Sequence, residues 1–99
     1  MQAVVDELNR RWRIMFDALS RGEDLPPGPR LRAEGMMEAL VLAGAASEAE
    51  LRAAIAACHR DAFGESLAAT FGEDWATLFP FPQIPAIAQR APVYPSTKD

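Results

Sequence analysis

Cys58 and His59 are the chain's one cysteine and one histidine, and they stand side by side. A thiol and an imidazole are the parts of a nucleophile and its base, but that chemistry needs them within hydrogen-bond reach. Neighbours on a helix point about 100° apart, so the two side chains diverge. Cys58 instead continues a stripe begun by Leu51 and Ile55 and reads as a small apolar core residue. His59 is expected at the surface or its boundary. Zinc is no better served. A structural site wants four cysteine or histidine ligands, and a set made from His59, Asp61 and Glu65 would be mostly carboxylate on an open helix face. The acid pairs Glu23-Asp24 and Glu73-Asp74 fall in a loop and at an element start, positions that favour acids for capping and dipole reasons. Nothing sets either pair up as an acid–base couple. Gly22, Gly28, Gly35, Gly44, Gly64 and Gly72 are scattered and form no phosphate-cradling pattern. The sequence therefore assigns no catalytic residue, no cofactor site and no metal site.

Charge narrows the partners. The net charge of −4 argues against a general affinity for nucleic acid or acidic membranes. Its distribution is uneven. Residues 1–32 hold six arginines against five acids, whereas residues 33–99 hold four bases against nine acids. Arg10, Arg13 and Arg21, with Arg30 and Arg32, could form a phosphate-contacting face, and the segment Leu40-x3-Gly44-x2-Ser47 has a loose helix-turn-helix look. Against this, the would-be recognition helix opens on Glu48-Ala49-Glu50. Arg10, Arg11 and Arg13 of the first helix each also have an acid three or four residues away. Met36-Met37 with Leu40 and Leu42 suits a soft protein contact, since methionine adapts to irregular surfaces.

These residues must be positioned by helices. Val5, Leu8, Trp12, Met15 or Phe16, and Leu19 recur at steps of three and four, which predicts an amphipathic helix over residues 3–20. Asp6–Arg10, Glu7–Arg11 and Arg13–Asp17 should support its outer face. Three prolines within residues 26–29 make a loop, and a second helix should run from Pro29 or Arg30 to Ala43. Its last five residues are apolar on every side, so they are buried on most sides or face a partner. Ser47 and Glu50 have the spacing of a capping box for a third helix over residues 48–71, kinked or broken near Gly64. A short fourth helix is expected over 73–79. The core should contain Leu8, Trp12, Met15, Leu40, Leu51, Ile55, Phe63, Leu67 and Phe71.

From Pro80 onward five prolines exclude helix and central strand. The segment nevertheless keeps Phe81, Ile84, Ile87, Val93 and Tyr94, which suits an arm held against something. The expected architecture is all-α: a three- to four-helix bundle over residues 1–79 with an extended proline-rich arm over 80–99. The arm is part of the same domain or packs on a partner, with Met36–Leu40 as its candidate surface.

The expected function is a small protein-interaction module without catalytic activity, an adaptor, assembly factor or regulatory subunit, and a possible homodimer. Its partner-binding residues would be Met36, Met37, Leu40, Phe81, Ile84, Ile87 and Tyr94. The alternative is a small helix-turn-helix-like transcriptional regulator. A single cysteine permits no internal disulfide, no apolar run is long enough for a membrane span, and Asp6-Glu7 stand where a secretory signal needs bases, so the chain is expected in the cytoplasm. Nine arginines to one lysine and nineteen alanines hint at a GC-rich bacterial genome.

Overall fold

The computed structural model of the chain describes residues 2–88. They form five helices: α1 (Gln2–Ser20), α2 (Pro27–Leu42), α3 (Glu48–Phe63), α4 (Leu67–Phe71) and α5 (Trp75–Leu78). The fold is all-α, and no strand occurs among the described residues. No helix among them is long and apolar enough to cross a membrane.

The organising element is α1. Its stripe of Leu8, Trp12, Met15, Phe16 and Leu19 is buried, and both α2 and α3 pack on it. On its outer face Glu7 gathers two arginines: Arg10 at 2.6 Å and Arg11 at 2.9 Å. Their hydrogen bonds hold its carboxyl down to about 2. Of the three expected pairs only Glu7–Arg11 closes, because Arg10 turns to Glu7 and Asp6 accepts from the Gln2 amide instead.

Helix α2 starts at Pro27, two residues earlier than expected, because prolines in a first helical turn sacrifice no intrahelical bond. It ends as Gly44 takes a left-handed φ of +71°. The capping box of α3 forms as its spacing predicts: the Ser47 hydroxyl accepts from the Glu50 N–H at 3.1 Å, and the Ser47 N–H donates to the Glu50 carboxylate at 2.8 Å.

The third helix is not continuous to residue 71. Gly64 adopts a left-handed cap at φ +76°, and Ser66 then caps a new helix by accepting from the Ala69 N–H. A stop signal and a start signal within three residues outweigh the helical period that runs across them. The last short helix covers Trp75–Leu78 rather than 73–79, and Glu73-Asp74 form the turn before it.

The core includes Leu8, Trp12, Met15, Leu40, Leu51, Ile55 and Leu67 as expected, and adds Phe16, Leu19, Leu25, Ala33 and Met37. Phe63 and Phe71 are only half-buried. His59, expected near the surface, is fully buried and takes the place between them and Phe16.

The first part of the arm lies on its own bundle. Ile84 and Ala88 belong to the same core cluster as the helices, and Pro85 is buried. Its backbone is tied down at three points: Leu25 N–H to the Ala86 carbonyl at 2.8 Å, Ile84 N–H to the Glu34 carboxylate at 2.9 Å, and Ala88 N–H to the Asp24 carboxylate at 3.1 Å. Val93 and Tyr94 lie outside the described residues.

Candidate functional site

The chemistry suggested by Cys58 and His59 has no geometry behind it. The Cys58 thiol faces Asn9, whose side-chain oxygen accepts at 3.6 Å, and burial pushes the thiol up, away from thiolate. The His59 ring stacks on Phe63 at 4.2 Å and meets the edge of Phe16 at 5.4 Å. Its Nδ1 lies 3.1 Å from the Glu65 carbonyl, which can only accept, so Nδ1 carries the proton. Nε2 is buried without a partner, and burial holds the imidazole below its ordinary range. Glu65 accepts from the Thr70 hydroxyl at 2.8 Å. Among the described residues no group of three or more histidine, cysteine or acidic side chains converges as a metal would require.

A different site is built where the arm meets α2. Glu34 is the pivot. It sits on the buried side of α2 and is itself buried. One of its oxygens accepts from the Ile84 N–H at 2.9 Å and from Arg30, one turn earlier, at 3.2 Å. Proline removes donors from the arm, and Glu34 answers one of those that remain with a charged acceptor, the stronger kind of hydrogen bond. Arg30 is thereby held with its shaft against the protein. Its Nε is buried and makes no hydrogen bond among the described residues.

Beside this junction opens a groove of about 400 Å³. Among the described residues, Phe71 and Phe79 form one wall, with ring centroids 5.2 Å apart and edge to face. Ile84, Ala86 and Ala88 form the arm side, Ile87 stands at its rim 64% exposed, and Arg30 and Gln83 are its polar groups. It is an apolar slot with one guanidinium at its edge.

The residues singled out for partner binding are thus dispersed. Met37, Leu40 and Ile84 lie inside the chain's own core, so the Met36–Leu40 face is not an open surface. The reason is that α2 must turn that face to α1 to build a core at all. Met36 and Phe81 are half-buried at its edge. Ile87 is exposed in the groove, and Tyr94 is outside the described residues. Sequence reasoning missed Glu34, and weighed Arg30 only as a phosphate contact. Their i, i+4 spacing was a visible signal, but what marks them is an acceptor shared with a backbone fifty residues away.

No protein-family model matches this chain, and comparison with curated proteins and with solved structures gave no match.

Proposed function

We propose that this protein is a small protein-interaction module, an adaptor, assembly factor or regulatory subunit without catalysis of its own, acting in the cytoplasm. The groove between the arm and α4–α5 is its binding site. The observation that carries this reading is the combination of an exposed apolar rim at Ile87, aromatic walls at Phe71 and Phe79, and an arginine whose Nε is buried and unpaired. Such a slot suits an apolar segment of a partner that brings a carboxylate or carbonyl to the part of the Arg30 guanidinium left exposed, a charged donor. Less supports the DNA-binding alternative: α2 and α3 each pack on α1 rather than on one another, and α3 opens on two glutamates.

The test is comparative capture from the native cell with quantitative mass spectrometry, using wild type, Ile87→Asp in the groove and Ile14→Asp outside it. Both isoleucines are more than half exposed, so both variants keep the fold. The reading expects a partner retained by wild type and Ile14→Asp and lost by Ile87→Asp. Equal capture by all three would contradict it. Retention of DNA that falls steeply with salt would favour the alternative.

A further inference from the structure

Among the described residues the outer face of α2 is exposed, with only Phe81 and Pro82 beside Glu38 and Leu42 at one end, and its sequence is complementary to itself. Leu31, Gly35, Glu38 and Leu42 follow at steps of four, three and four, and all four are exposed. Eleven residues amount to three helical turns plus about 20°, so Leu31 and Leu42 stand on one face about 16 Å apart. They are 56% and 87% exposed. Leu42 is the most exposed large apolar side chain among the described residues.

We propose that a second copy of this chain covers the face, with the two α2 helices antiparallel about a two-fold axis. In that register Leu31 of one protomer meets Leu42 of its partner, and Gly35 meets Glu38. The pairing is made twice, so the contact closes on itself as a two-fold interface must. At Gly35 nothing lies within 4 Å of where a side chain would begin, so the space there is open to the partner's Glu38. Charge agrees as well. Among the described residues, Arg32 and Glu38 have no ion-pair partner. In the antiparallel register Arg32 lies about 4.5 Å along the axis from the level of its partner's Glu38, within reach of an arginine side chain. A parallel pairing would set Leu31 on Leu31 and Glu38 on Glu38, leaving acids opposed. This surface is separate from the groove at Arg30, and neither proposal depends on the other.

Sedimentation equilibrium of the full chain over a wide concentration range tests it. The mass should rise from 10.8 kDa toward twice that value. Leu42→Asp should stay monomeric while keeping the helical signal, because Leu42 is a surface residue. Arg32→Glu and Glu38→Arg should each weaken the dimer roughly tenfold, and the double variant should recover it. Register is read by mild oxidation of mixed Leu31→Cys and Leu42→Cys chains, which should cross-link to one another in preference to themselves. A monomer at every concentration overturns the proposal. So does a dimer indifferent to Leu42→Asp, or cross-linking of Leu42→Cys chains chiefly with themselves.

Discussion

Two parts of the chain solve the same problem in different ways. In α1 to α3 the backbone donors and acceptors satisfy one another within each helix, and side chains are left to pack. Along the arm prolines delete donors, and the remaining N–H groups of Ile84 and Ala88 take carboxylates fifty and sixty-four residues away. The first kind of structure is local and tolerant. The second hangs on single acidic side chains and exists only once the bundle is built. A buried backbone group must find a partner somewhere, and where regular structure supplies none, one side chain becomes decisive.

The largest effect should come from the bundle. Ile55→Ala, in the α3 stripe against α1, should cost about 2–5 kcal/mol by chemical denaturation, as deletion of buried aliphatic groups does. An unchanged midpoint would mean that this stripe is not part of the core. Next comes the arm. Glu34→Ala leaves the Ile84 N–H without its acceptor and Arg30 without its partner, and should cost about 1–3 kcal/mol. Glu34→Gln keeps an acceptor for the N–H and should cost less. Equal losses for the two variants would show that the charge, rather than the backbone bond, is what matters.

The smallest effect is one of pH. His59 is held below its ordinary value of 6.5 by burial. As pH falls below 6.5 the unfolded chain takes up a proton that the folded chain refuses, so stability is full above that value and declines as pH falls toward the folded value. His59→Phe should flatten this part of the stability profile, measured by denaturant midpoints between pH 7 and pH 5. Parallel profiles for the two proteins would remove His59 from the account.

The same contrast explains what the residues disclosed before folding. The stripe of α1 and the capping box at Ser47–Glu50 were legible because each signal and its partner lie within four residues or one helical period. Helix α3 ends earlier than its period predicts, because Leu67 and Phe71 keep that period beyond Gly64, while the Ser66 cap lies hidden among ordinary polar residues. His59 reads as a surface residue because a histidine beside a core stripe usually stays wet, and nothing local shows that Phe63 stacks on it. The groove could not be read at all. Arg30 and Glu34 look like any exposed i, i+4 pair until the arm returns to lie on them. Met37 and Leu40 look like a docking face until α1 takes it.

The claim that the arm is built into the fold through Glu34 is tested most directly by amide hydrogen exchange at Ile84. The account predicts an Ile84 N–H protected to nearly the level of core amides in α1, with that protection lost in Glu34→Ala while α1 stays protected. Exchange of the Ile84 amide at the rate of an unstructured peptide in the wild-type protein would contradict it.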